Sequence, residues 1–268
     1  MKGNAMKSNR TKFRVIAALC LLLGLLLLTG EDTGADTEGG ASVAGVVSFD
    51  GPKPRRTKIV MLGNKADRNG GSANECIKLH GDKTPLSEHA LVSDAGGLAN
   101  AFVYVRKGLE KKKKYPMPKT AAMISQKDCM FRPRVQGVRV GQELLLRNSD
   151  GLVHNVRAYA SRNRPFNIAQ PADSADRKKV FTRPERALQI GCDIHRWMKA
   201  FVFVMDHPYY AVTDADGKFT IKGLPAGEYT LEVWHEDFGK RQATFTVNAN
   251  GSSKVDFSFQ PKTKKGNA

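Results

Sequence analysis

Beyond residue 28 the chain carries no long helical period. Instead, short apolar runs recur between clusters of glycine, proline, asparagine and aspartate. A chain punctuated in this way can bury its apolar residues only by stacking or closing β-sheets. The first strand candidate is residues 43–49 (VAGVVSF), closed by the turn signal Asp50-Gly51-Pro52. Residues 101–105 (AFVYV), 137–148 (GVRVGQELLLRN, two strands joined at Gly141), 180–181, 188–192 and 200–205 (AFVFVM) follow. After Tyr210 the strands shorten and alternate, at 219–221, 229–234, 243–247 and 255–259, with turns at Asp214-Ala215-Asp216-Gly217 and 223–227. Residues 65–75 read as loop, and 74–80 as a helical turn or two. Residues 157–179, polar and holding Pro165 and Pro171, read as an excursion outside the core.

The 268 residues suffice for one or two domains. The formal charge of +17 points to acidic partners, anionic surfaces or nucleic acid, and leaves the fold open. No recognition motif or aromatic platform accompanies the charge, so nucleic acid is not expected as a partner. The lysines at 111–114, beside Tyr115-Pro116, read as a solvated loop. Lys2, Lys7, Arg10, Lys12 and Arg14 precede an apolar run at 15–28, which gives way to Thr29-Gly30 and small polar residues. That is the order of a secretory signal, and the run is shorter than the roughly 20 residues a spanning helix needs. Cleavage after Gly30 or Ala35 and retention as an uncleaved anchor both fit. Cys20 is a poor lipidation site, because Leu19 stands where a small residue is required. The expected location is periplasmic or otherwise extracytoplasmic.

Export leaves Cys76, Cys129 and Cys192 in an oxidising compartment, where an odd cysteine needs a task. A Cys76–Cys129 disulfide is expected. The rival is a second metal site, since Cys76 and His80 would share a helix face.

The informative stretch is Cys192-Asp193-Ile194-His195-Arg196-Trp197-Met198, a Cys-x-x-His-x-x-Met loop between two apolar strands. His154 follows the strand that ends at Asn148, in a His154-Asn155-Val156 string. Two imidazoles, one thiolate and one thioether are the donor set of a type 1 copper site. Taken singly, His154 would be a turn histidine, Cys192 half of a disulfide and Met198 a core filler; the four together point to copper. Zinc has no use for the thioether, covalent haem needs a Cys-x-x-Cys-His absent here, and no His-Glu-x-x-His string occurs.

Val138, Val140, Gly141, Leu144 and Asn148, followed by His154-Asn155-Val156 and the Cys192 loop, resemble the cupredoxin family of plastocyanin and amicyanin. The resemblance implies a Greek-key β-sandwich with copper at one end, held by His154, Cys192, His195 and Met198. It also implies a hydrogen bond from the Asn155 backbone amide to the Cys192 sulfur, and a surface-near His195 through which electrons pass. Trp197 would either crown that port with Arg196, Lys199 and Arg157 or pack inward. Thr213-Asp214-x-x-Gly217-x-Phe219-x-Ile221 and Leu224-Pro225-x-Gly227-x-Tyr229-x-Leu231 resemble the carboxypeptidase regulatory-like (transthyretin-like) domain. That tail is short by a strand or two, to be supplied by the copper domain or by 43–49. Asp214, Asp216 and Gly217 faintly resemble a calcium loop, but Pro225 stands in the closing ligand's place, so a turn is expected.

The expected organisation is all-β. It comprises a leader or anchor at 1–30, a linker at 31–42, the cupredoxin-like domain at 43–208, a smaller C-terminal sandwich at 209–260 and a basic tail at 261–268. The expected function is a non-enzymatic, exported one-copper carrier of single electrons, with an acidic redox partner such as a c-type cytochrome. Membrane contact is expected only through an uncleaved N-terminal segment. The alternative is a copper-binding envelope protein whose C-terminal sandwich mediates binding or adhesion.

Overall fold

The computed structural model describes residues 40–61, 71–81, 83–249 and 251–261. The expected leader, linker residues 31–39 and tail residues 262–268 lie outside them. No helix of the described residues is long and apolar enough to cross a membrane.

In chain order the described residues form β1 (Ala41–Phe49), α1 (Gly71–Leu79), β2 (Phe102–Lys107), β3 (Ala122–Lys127), β4 (Met130–Arg132) and β5 (Val135–Arg139). There follow β6 (Glu143–Asn148), β7 (His154–Tyr159), β8 (Phe166–Gln170), β9 (Arg177–Val180), β10 (Glu185–Gly191) and β11 (Lys199–Met205). The chain ends with β12 (Tyr210–Val212), β13 (Lys218–Leu224), β14 (Gly227–His235), β15 (Gly239–Val247), β16 (Ser252–Lys254) and β17 (Phe257–Phe259). The molecule is nearly all β, as expected.

These strands make two sandwiches. The first stacks the sheet β5-β11-β10-β7-β8 on β4-β3-β6-β9, around a core that includes Ile124, Leu144, Leu146, Val156, Ile190 and Val202. The second pairs β13-β1-β16, with β17 also on β1, against β12-β2-β14-β15. Its core includes Val43, Val47, Val103, Leu231, Val233 and Phe259.

The strand pairing departs from the linear division of the sequence at 208/209. β1 runs antiparallel to β13, and β2 antiparallel to β12 and β14, so the tail sandwich takes two strands from the N-terminal half. The strand at 43–49 is one of them, as allowed for; the AFVYV strand is the other. Both apolar runs, AFVYV and AFVFVM, have the same cause. β2 sends Val103 and Val105 into the second core and Phe102 and Tyr104 out of it, while β11 sends Val202 and Val204 into the first core and Phe201 and Phe203 out. The outward aromatics meet. Phe102 stacks on Phe203 at 3.9 Å, and Trp234 meets Phe203 edge-on at 5.2 Å. A strand buried on both faces needs no polar alternation, which is why these two show none. Beside the aromatic layer, buried Arg134 donates to both carboxylate oxygens of Glu236, at 2.6 and 2.8 Å.

Residues 157–179 are not an excursion. β8 extends the first sheet beyond β7, and β9 extends the second beyond β6. β9 reads Arg-Lys-Lys-Val and is almost wholly exposed, so it has no apolar alternation to find; charge on an edge strand guards it against pairing with other chains. The helix starts at Gly71, inside the stretch expected to be loop. The Asp214 turn is a turn: its Oδ1 accepts the backbone N–H groups of Asp216 and Lys218. It closes on Gly217 at φ +75, where a Cβ would meet the Val47 carbonyl at 2.3 Å.

Candidate metal centre

β7, β10 and β11 are neighbours in one sheet. Gly191 pairs with Lys199 across β10 and β11, and with Arg157 across β10 and β7. That register closes 192–198 into a loop at the sheet's end, with Cys192 and Met198 at its two feet and His195 at its crest. It also sets the start of β7, and so His154, beside the loop. Within the loop the Met198 N–H donates to the His195 carbonyl at 2.9 Å, and the His195 N–H points at the Cys192 sulfur at 3.4 Å.

The imidazoles converge. His154 Nδ1 lies 2.8 Å from His195 Nδ1, and His195 Nδ1 lies 3.9 Å from Cys192 Sγ. Ligand atoms of all three residues fall within 4.8 Å of one another. All three are buried, and Met198 is buried in the same core as Cys192. Burial is the largest influence on the Cys192 thiol and pushes its pKa up. Hydrogen bonds from His154, His195 and the backbone amides of Asn155 and His195 outweigh it and bring the pKa down to about 6. The thiolate, which is the ligating form, is therefore accessible near neutral pH.

Asn155 does more than the sequence indicated. Its backbone amide is among the groups that lower the Cys192 pKa, as the resemblance implied. Its side-chain oxygen also accepts the Asp193 N–H at 2.8 Å and the Cys192 S–H at 3.2 Å, which pins the loop to β7. Asn148, at the end of β6, donates to the carbonyls of Leu152, Gln170 and Pro171 and so shapes the turn that delivers His154.

Two further residues belong to the site and were not singled out in the sequence. Asp150, buried, accepts from His154 Nε2 at 2.8 Å through Oδ2. Asp193 accepts from Arg157 at 3.2 Å and from Asn167 at 2.7 Å, so Arg157 does not stand free beside the site. The spacing Asp-x-x-x-His at 150–154 was the available signal for the first. Cys76 and Cys129 form a disulfide, which removes both thiols from the second metal site weighed above.

One expectation is corrected. His195 is not near the surface: it is fully buried, and the Trp197 ring lies against it at 5.1 Å. Trp197 packs inward on the first core and donates Nε1–H to the Cys129 carbonyl at 3.0 Å. An indole with an apolar body and one donor is best satisfied by that arrangement.

In a trigonal plane, metal–ligand lengths of roughly 2.0–2.3 Å set donors about 3.5–4 Å apart. His195 Nδ1 and Cys192 Sγ, at 3.9 Å, stand at that spacing, while the two Nδ1 atoms, at 2.8 Å, are in hydrogen-bond contact and would part to admit an ion. Met198, buried in the same core as Cys192, would offer a soft thioether, a ligand that selects copper over zinc. His195 Nε2 is buried without a hydrogen-bond partner, so the direction of that ring is set on its Nδ1 side, toward the other donors.

Residues 199–260 match the family model described as "carboxypeptidase regulatory-like domain". The match begins inside β11, which the structure places in the first sandwich. No curated protein matches the chain. Among solved structures, a copper-containing nitrite reductase from Thermus scotoductus is 19% identical with a TM-score of 0.31, covering 38% of this chain and 26% of its own. A purple cupredoxin from Nitrosopumilus maritimus is 19% identical with a TM-score of 0.27, covering 31% of this chain and 99% of its own. A Cu(I) amicyanin variant is 16% identical with a TM-score of 0.28, covering 37% and 99%. The chain thus spans about a quarter of the nitrite reductase. The case for a metal rests on the side chains above. By sequence, residues 199–260 match the carboxypeptidase regulatory-like domain, and the structures to which the chain is similar include cupredoxins.

Proposed function

We propose that His154, Cys192, His195 and Met198 together bind one copper ion and that the chain is an exported carrier of single electrons. The observation that carries this reading is the convergence of two Nδ1 atoms on a buried thiol whose pKa is held near 6. Copper in such a set exchanges one electron with little rearrangement of its ligands. The protein's part is to hold the donors still. The sheet register fixes the loop's feet, Asn155 pins it to β7, and Asp150 fixes the His154 ring so that Nδ1 faces the other donors. Burial contributes as well: His154, Cys192, His195 and Met198 are shielded from water, which favours one-electron exchange over ligand exchange. Met198 would supply a fourth ligand where a substrate would otherwise bind, which favours a carrier over an enzyme.

With His195 covered, docking falls to the loop around it. Arg196 is exposed on the loop and Val153, beside His154, is 45% exposed. An apolar contact flanked by a cation fits brief association with an acidic redox protein. Potentiometry on Met198→Gln tests the ligand set. The harder amide oxygen favours Cu(II), so the potential should fall while copper stays bound. An unchanged potential removes Met198 from the set.

A further inference from the structure

The outer contacts of both imidazoles lead to one residue that the copper reading does not use. Lys127 pairs with Met130 across β3 and β4, so Asp128 and Cys129 are the two-residue turn of a tight hairpin. Both have positive φ, +55 and +51. That turn geometry favours glycine at its second position, and here a cysteine stands there, buried and bonded to Cys76 in α1. The turn's two N–H groups grip the Asp150 carboxylate: Asp128 donates to Oδ1 at 2.7 Å and Cys129 to Oδ2 at 2.8 Å. The same Oδ2 accepts from His154 Nε2 at 2.8 Å. On its other side, the Cys129 carbonyl accepts from Trp197 Nε1 at 3.0 Å, and the Trp197 ring lies against His195. The N–H of Cys129 thus reaches one imidazole through Asp150, and its C=O reaches the other through Trp197.

We propose that the Asp128-Cys129 turn, anchored by the Cys76–Cys129 disulfide, is a clamp that positions both histidines, with Asp150 and Trp197 as its two arms. The inference rests on the copper reading for its metal readouts, though the clamp itself is a property of the metal-free protein. A carboxylate behind a ligating imidazole fixes the ring's tautomer and direction and raises its basicity, and loss of such a partner weakens metal binding on the order of 10–100-fold. Asp150 is suited to the part because three N–H groups hold it in place. The disulfide is suited because it compensates for a side chain at a backbone conformation that disfavours one. A cross-link serving stability alone would have no reason to route both backbone atoms of Cys129 to the two imidazoles.

Two variants of the full chain separate the clamp from a merely stabilising cross-link. Asp150→Asn keeps the shape and removes the charge. Cys76→Ala with Cys129→Gly removes the cross-link and keeps the turn's backbone freedom. In metal-free wild type, nitrogen NMR should show a slowly exchanging His154 Nε2–H; in Asp150→Asn it should shift or exchange out, and in the double variant both imidazole signals should broaden. Copper release should quicken about 10–100-fold in Asp150→Asn and by a smaller factor in the double variant. The Asp150→Asn potential should rise, because a negative charge beside Cu(II) is gone, and the copper hyperfine coupling should change in both. Folded variants with wild-type imidazole signals, release rate and potential, altered only in unfolding midpoint, overturn the clamp. Wild-type protein that takes no copper while its imidazole signals still respond to both variants overturns the copper reading and leaves the clamp standing.

Discussion

His207 and His235 lie against the second sandwich, stacked near Tyr209 and Phe238, while His154 and His195 sit at the end of the first. All four are buried. The first pair uses Nδ1 as an acceptor for local backbone, the N–H groups of Tyr209 and Asp237. Burial pulls both pKa values down to about 4, so these rings are neutral turn braces. His154 moves the other way. Burial again pulls its pKa down most strongly, but hydrogen bonds to Asp150 and Cys192 more than reverse it. The contrast shows what separates a structural buried histidine from a site. Burial is common to both; what differs is the convergence of other donors in front of the ring and, for His154, a carboxylate behind it.

The largest effect that would break the contrast is on the donor in front. Cys192→Ser should abolish the intense thiolate–copper colour while the metal-free protein keeps its unfolding midpoint, because a hydroxyl fills the thiol's place but gives no soft ligand. Retained colour would mean that His154 and His195 are as structural as His207 and His235. The reverse experiment is Phe203→Ala, in the aromatic layer between the sandwiches. It should cost about 3–5 kcal/mol in denaturant unfolding and leave the copper spectrum of the folded fraction intact, since Phe203 faces away from the core that holds Cys192.

Acid sharpens the contrast further. The folded pKa values of His207 and His235 lie below the ordinary 6.5, so the unfolded chain takes up protons first as pH falls. Stability should therefore drop between pH 6.5 and about 4, by on the order of 3 kcal/mol for each ring. His207→Asn with His235→Asn, which keeps an acceptor in the Nδ1 place, should flatten that slope in stability measured from pH 7 to 4.5. The smallest effect concerns docking. Arg196→Glu should slow electron transfer to an acidic partner a few-fold at low ionic strength and hardly at all in high salt, with an unchanged copper spectrum. A rate indifferent to both charge and salt would move the docking face away from Arg196.

The meeting of Cys192 and His195 was legible, because they are close in sequence and the strands around them fix the loop, and His154 was legible from its place after the neighbouring strand. The all-β class was legible too, from turn residues between short apolar runs. What sequence could not supply is contact made across the fold. Asp150 gains its role only when the 128–129 turn meets it, and nothing local marks that meeting. AFVYV reads the same whichever sandwich owns it, since it is buried on both faces. β9 carries charge where a pattern was sought, being an edge. Trp197 could face either way by composition, and the Cys129 carbonyl, distant in sequence, decides it.

The most direct test of the copper site is titration of the purified, metal-free full chain with Cu(II), followed by visible absorption and electron paramagnetic resonance. The account predicts an intense thiolate-to-copper band that grows linearly and stops at one copper per chain, with the narrow hyperfine splitting of a strongly covalent Cu–S bond. A pale spectrum with ordinary hyperfine splitting at full loading, or colour that persists once Cys192 is replaced by serine, would contradict it.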